Sequence, residues 1–186
     1  MAASTSAATR KSRPSIRIRL YDAQDREFVR RLFIAVNRQL APAHLKSQFE
    51  IYIARALVEE IERIPEYYAE RAGSFWIAET VADNRLVGMY GLEAGGSGAA
   101  ELRRMYVAPA FRRQGIARQM LAHAESTGKA AGYDRIVLST SELQKSALAL
   151  YRSVGFSLVA EETADRMSHK VVGAGLRRHH MAKKLT

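Results

Sequence analysis

Apolar and polar positions begin to alternate at residue 15. In SIRIRLY (15–21) isoleucine and leucine alternate with arginine, the period of two expected of a half-buried strand. Asp22 follows as a helix cap, and Phe28, Leu32, Val36 and Leu40 recur at near-helical spacing until Pro42 interrupts the pattern. A second stripe, Phe49, Ile53, Leu57, Ile61, Ile64 and Tyr68, predicts one helix over 48–70 with Glu59, Glu60, Glu62 and Arg63 on its opposite face. Two β-rich runs come next, SFWIAET and RLVGMYGLE, separated by the turn-forming Ala82-Asp83-Asn84. The glycine-rich EAGGSGAA then leads into a third run, ELRRMYV. Beyond it the pattern predicts a helix over 115–131, a strand at RIVLST, a helix over 144–154, a strand at FSLVAEE and a last strand near RRHHMAKKL. A strand, two helices and a meander followed by strand-helix-strand-helix-strand predict an α/β (α+β) fold. Its central sheet is mixed and largely antiparallel, with one parallel pair and flanking helices. No internal repeat or linker divides the chain, so residues 15–186 are expected to form one domain behind a tail at 1–14.

Composition narrows this picture. The start, MAASTSAATRKSRPS, is small, polar and basic, which predicts a disordered tail rather than a signal or transit peptide. No apolar run approaches the ~20 residues that span a bilayer, so a cytoplasmic protein without membrane contact is expected. The absence of cysteine excludes disulfides, thiol catalysis and thiolate metal sites. A formal charge of +10 favours anionic partners, among them phosphates, nucleic acid and anionic cofactors. Nucleic acid is the weaker choice, because RKSR and RRHHMAKK lack interleaved aromatic residues that stack bases. His179 and His180 are adjacent on a strand and so point to opposite faces, and His44, His123 and His169 are scattered; no metal is expected.

The stretch MYVAPAFRRQGIARQML (105–121) carries the first candidate chemistry. It leaves a strand, crowds Arg112 and Arg113 together, and places Gly115 where a helix begins. The first N–H groups of a helix lack intrahelical partners and lie at the positive end of its dipole. A glycine there lets a phosphate approach closely, and the arginines add charge and forked donors. On the residues alone, Gly115 is equally a turn glycine and the arginines a solvated face. Other phosphate and nucleophile motifs fail: there is no G-x-x-x-x-G-K-[ST] or G-x-G-x-x-G, and Ser97 in GGSGA precedes a strand where a nucleophile elbow requires a helix.

Two motifs in sequence, V-x-P-x-x-R-x-x-G-x-A and S-x-L-Q-K-S-A-L-A-L-Y-R-S-V-G-F, resemble the GNAT superfamily of acetyl-CoA-dependent N-acetyltransferases. GSFWIAE and the second motif are most similar to the branch with cysteine-S-conjugate and lysine N-acetyltransferases, although that branch's hydrophobic membrane segment is not found here. The resemblance covers residues 75–158 best. It implies that acetyl-CoA is the co-substrate, with the backbone of Arg112, Arg113, Gln114, Gly115, Ile116 and Ala117 holding the CoA pyrophosphate. Met105, Tyr106 and Val107 would pair with the pantetheine arm where that strand and RIVLST splay apart. Gln144 stands where the family often has Asn and is expected to contact CoA with a different reach. Tyr151 takes the place of the general acid, Glu101 that of the base, with Glu93 and Glu79 as further base candidates, and the main-chain N–H of Val107 or a neighbour would receive the oxyanion. Glu101 is also readable as an exposed strand-end residue. The acceptor is then an amine on a small molecule or a protein, and a homodimer is allowed for. A CoA-binding regulator without catalysis and a basic nucleic-acid-binding protein are the alternatives.

Overall fold

The computed structural model describes residues 14–186; the segment 1–13, which holds nearly all of the expected tail, lies outside the described residues. Seven strands are present: β1 (Ile16–Leu20), β2 (Ser74–Thr80), β3 (Leu86–Ala94), β4 (Ala99–Val107), β5 (Arg135–Ser141), β6 (Ser157–Ala164) and β7 (Leu176–Lys184). Five α-helices accompany them: α1 (Arg26–Leu40), α2 (Lys46–Glu59), α3 (Ile64–Ala69), α4 (Ile116–Ala130) and α5 (Lys145–Ser153). The strands form one sheet in the order β1-β2-β3-β4-β5-β7-β6, antiparallel throughout except for β4 and β5. The mixed sheet and its single parallel pair are those predicted from the order of elements.

The sheet separates two apolar cores. One lies under α4 and α5 and contains Met120, Leu121, Ile136, Leu138, Tyr151 and Met181. The other, against α1 to α3, contains Val29, Phe33, Val36, Ile53, Tyr68 and Met89. Each helix therefore buries one stripe, and the sheet strands bury both faces at its centre. Asp22 caps the turn into α1 by accepting the Gln24 N–H at 2.9 Å, while the Asp25 carboxylate accepts the Asp22 N–H at 2.8 Å in return. No helix of the described residues is long and apolar enough to cross a membrane.

The expected single helix over 48–70 is corrected. α2 stops at Glu59, Glu60 leaves helical geometry (φ −140°, ψ −60°), and a turn of 3₁₀-helix at Ile61–Arg63 leads to α3, which has Pro65 in its first turn. The apolar stripe survives the break, since Phe49, Ile53, Ile61, Ile64 and Tyr68 are all buried. Glu60, expected on the solvated face, is 0% exposed. Its burial has a cause in β4.

Candidate active site

β4 pairs with β5 only at Ala99↔Arg135, Ala100↔Ile136 and Glu101↔Val137. Beyond that point both strands continue, β4 to Val107 and β5 to Ser141, without pairing to each other. The expected splay is therefore present, and it begins at Glu101. On its other side β4 slips against β3: Arg103 lies opposite Gly91, but Tyr106 lies opposite Met89, so β4 holds one residue more. Arg104 absorbs the excess in a left-handed conformation, φ 51°. This is a β-bulge. Ala108 donates its N–H to Val87 C=O at 2.8 Å, so strand alternation turns the N–H groups of Met105 and Val107 away from β3 and toward the gap.

The gap opens into a cleft with about 930 Å³ of empty space, its open mouth included. Of the residues singled out in the sequence, Glu101, Met105, Tyr106, Gln144 and Tyr151 line it together. Val107 and residues 112–117 are not among the lining residues. The latter form the entry to α4. Arg113 (φ 65°) and Gly115 (φ 82°) are both left-handed, and Gly115 is the residue that starts the helix. Among the described residues no backbone carbonyl accepts the N–H groups of residues 113–117. Successive free amides of this kind make a concave anion cradle at the positive end of a helix. The Arg112 guanidinium, expected to serve the same anion, is instead folded back onto Val107 C=O (3.2 Å) and Gln39 Oε1 (2.9 Å), while Arg113 is exposed.

Tyr151 is set by the end of α5. The Phe156 N–H closes back on Tyr151 C=O at 3.0 Å and the Gly155 N–H on Arg152 C=O at 3.1 Å, with Gly155 left-handed at φ 96°. This closure explains why G-F follows the helix. The Phe156 ring then packs 5.7 Å from that of Tyr151. Tyr151 is 7% exposed, and its hydroxyl has no hydrogen-bond partner among the described residues. Burial, with the nearby Tyr106, raises its pKa above the ordinary tyrosine value. At the start of α5, Gln144 Oε1 accepts from Thr140 Oγ1 (2.8 Å) and from the Ser141 N–H (3.3 Å). That leaves its amide NH₂ as the uncommitted group.

A charge network behind the cleft was not anticipated. Arg103 and Arg104 are adjacent on β4, yet both guanidinium groups reach Glu60, Arg103 at 2.9 Å and Arg104 at 2.6 and 3.0 Å. Neighbours on a regular strand face opposite ways, and the left-handed bulge at Arg104 is what lets both face one carboxylate. Arg103 also meets Glu93 at 3.0 Å and hydrogen-bonds Tyr67, while Arg104 donates to Tyr52 (2.6 Å) and to His169 C=O (2.6 Å). Burial alone would raise the Glu60 carboxyl, but Arg104 and Arg103 overcome it and hold the group down at about 2. Lys170 spans Glu93 Oε1 (2.8 Å) and Glu101 Oε2 (3.2 Å). Two adjacent arginines inside the apolar run ELRRMYV were the available signal for the bulge, but their partner at Glu60 has no local signature.

The remaining candidates separate clearly. Glu93 is buried, engaged by Arg103 and Lys170, with its Oε2 unpartnered. Glu79 is held by Arg17 and by Arg19 (3.0 Å) at the β1–β2 edge and does not line the cleft, which removes it as a base. His179 and His180 sit on opposite faces, with His179 Nδ1 2.7 Å from Glu161 but out of hydrogen-bonding geometry and His180 Nε2 3.0 Å from Glu162. His169 pairs with Glu59 and contacts Tyr67, and His123 contacts Tyr90. Among the described residues, no three His, Asp or Glu side chains are placed to hold a metal.

Comparison with known proteins agrees with this geometry. Residues 23–156 match the acetyltransferase (GNAT) family. Human N-acetyltransferase 8 is 32% identical over 117 residues, covering 60% of this chain and 51% of that protein, so the chain spans about half the length of this curated relative. In fold the chain resembles a GNAT-family acetyltransferase from Staphylococcus aureus, with a TM-score of 0.70 and 23% identity over 92% of this chain and 100% of that one. It also resembles spermidine N-acetyltransferase from Vibrio cholerae, solved in complex with CoA and spermine, with a TM-score of 0.66 and 16% identity over 91% of this chain and 95% of that one. The match over well more than half of the chain, on a sheet that parts where the family motifs lie, makes this protein a member of the GNAT acetyltransferase family.

Proposed function

We propose that the protein transfers the acetyl group of acetyl-CoA to a primary amine by direct attack in a ternary complex. The observation that carries this reading is the parting of β4 and β5 just past Glu101, with Tyr151 at the gap and the cradle of free amides at Gly115 a short turn beyond the end of β4. Residues 113–117 suit a pyrophosphate, since their amides have no backbone acceptor and Gly115 presents no side chain. Met105 and Val107 offer main-chain groups to an amide-bearing arm entering the gap, as a neighbouring strand would. The amide NH₂ of Gln144 is available to the same ligand.

Acetyl-CoA supplies an activated thioester; the protein supplies alignment and proton transfers. An unperturbed alkylamine has a pKa of ~10.4 and is almost wholly protonated at neutral pH, so the amine must lose a proton before it attacks. Glu101, where the two strands part, takes that proton directly or through water. The Val107 N–H faces the place where negative charge develops on the carbonyl oxygen. Tyr151, kept protonated by burial, gives its proton to the departing thiolate. Metal chemistry is not required for any of these steps.

The test is CoA release from acetyl-CoA in the presence of representative amines: free amino acids, polyamines, aminoglycosides and lysine peptides. The reading expects release that depends on one of these classes. A folded protein that releases no CoA with any of them removes it.

A further inference from the structure

Among the described residues, Arg104 is the one strand position with a left-handed backbone; every other left-handed residue lies in a connection between elements. A side chain resists this conformation, so something must hold it. Its guanidinium meets Glu60 with two prongs, Nε to Oε1 at 3.0 Å and Nη2 to Oε2 at 2.6 Å, while Arg103 reaches the same Oε2 at 2.9 Å. In regular alternation Arg104 would follow Leu102 to the face under α4 and α5, among apolar residues and away from Glu60. The left-handed residue keeps it on the face of its carboxylate. The bulge is bracketed by paired residues, Arg103↔Gly91 before it and Tyr106↔Met89 after it, so the strand is fixed on both sides of the irregularity. Glu60 itself is fully buried and does not line the cleft.

We infer that Glu60 is a positioning residue for the acetyl-CoA site: by holding Arg104 left-handed it directs the N–H groups of Met105 and Val107 into the gap, without touching a ligand itself. Loss of the carboxylate removes the charged partner of Arg104. What remains is Tyr52 Oη at 2.6 Å and His169 C=O at 2.6 Å, neither of which carries a charge to offset a buried cation. β4 then relaxes toward regular alternation, and the two amides leave the gap.

This inference rests on the acetyl-transfer reading, and the experiment separates the two. Two substitutions remove the Arg104 cation but differ in backbone preference: Arg104→Gly accepts φ 51° without assistance, whereas Arg104→Met resists it. Glu60→Gln, Glu60→Gln/Arg104→Gly and Glu60→Gln/Arg104→Met are compared with wild type by calorimetric titration with acetyl-CoA. Glu60→Gln should weaken binding by about tenfold or more, the worth of two main-chain hydrogen bonds. Arg104→Gly should restore most of that affinity, and Arg104→Met should not. A role in stability alone would give the two double variants the same affinity, because both remove the unpaired cation. Ile53→Ala, a buried change on α2 outside the cleft, is a destabilised control that should bind acetyl-CoA as wild type does. Wild-type affinity in Glu60→Gln, or equal affinity in the two double variants, overturns the inference. If Glu60→Gln does not fold, the double variants decide. If the wild-type protein binds no acetyl-CoA, the acetyl-transfer reading fails, and amide hydrogen exchange of the ligand-free protein still decides the role of Glu60. Wild type and the glycine double variant should then protect the Tyr106 N–H and leave those of Met105 and Val107 open to exchange. The same pattern in the methionine double variant overturns the inference.

Discussion

The Tyr151 hydroxyl is buried at the edge of the cleft with no protein partner, so its removal strands no other group. Tyr151→Phe should leave stability within about 0.5 kcal/mol of wild type, because ring and packing persist. As general acid, its loss should lower kcat by roughly tenfold to a thousandfold with little change in acetyl-CoA affinity. Steady-state rates beside a binding isotherm check this, and wild-type kcat in a folded variant returns the tyrosine to a packing role. Since burial raises its pKa, the acid limb of the wild-type rate should not begin to fail below the ordinary tyrosine value of about 10. Glu101→Gln keeps an acceptor for Lys170 but not a base. Its kcat/KM should drop at neutral pH and recover partly at high pH, where the amine is already neutral; a profile parallel to wild type would assign the proton to water. Tyr151 and Gln144 were legible because they lie in one continuous motif.

At the level of elements, the entry to α4 is the most exposed to test. Gly115 is left-handed at φ 82°, which a β-branched residue resists, and a side chain there would stand in the amide cradle. CoA and acetyl-CoA should raise the melting temperature of the wild-type protein with increasing ligand excess, because they bind the folded state only. Gly115→Val should abolish that shift while the protein remains folded, as read by circular dichroism. An undiminished shift would place the pyrophosphate elsewhere. Most elements were readable from period alone: every strand and the helices α1, α4 and α5 fall within a residue or two of the pattern. The break between α2 and α3 was not, because Phe49, Ile53, Ile61, Ile64 and Tyr68 are buried equally well by a continuous helix or by two joined at an angle. What decides for the break is Glu60 turning inward to two arginines distant in sequence, a tertiary demand that local pattern does not encode.

Over the whole molecule, that carboxylate joins the helical layer to β4, and Arg104 extends the tie through His169 C=O to the β6–β7 connection. Removing one partner of a buried ion pair leaves the others uncompensated, so Glu60→Gln should cost about 3–5 kcal/mol. This corresponds to a Tm lower by about 10 °C for a chain of this size. Urea and thermal melts at pH 7 measure it, and a loss under about 1 kcal/mol would contradict the assigned weight of the network. The folded-state pKa of Glu60, about 2, lies below its ordinary value of 4.5, so its contribution is present above pH 4.5 and is lost as pH falls toward 2. Glu60→Gln should be less sensitive than wild type across that window. The extra residue at Arg104 has a consequence of another kind. Because it adds one to the count between Arg103 and Tyr106, it exchanges the parity of everything after it. Were it deleted, the amides of Met105 and Val107 would turn to β3, those beside them would turn to the gap, and each following side chain would change faces. Extra residues in the hairpin at 95–98 shift no such parity. The chain can therefore vary in length at the tip of this hairpin but not between Arg103 and Val107, where the number of residues, more than their identity, decides which amides face the gap.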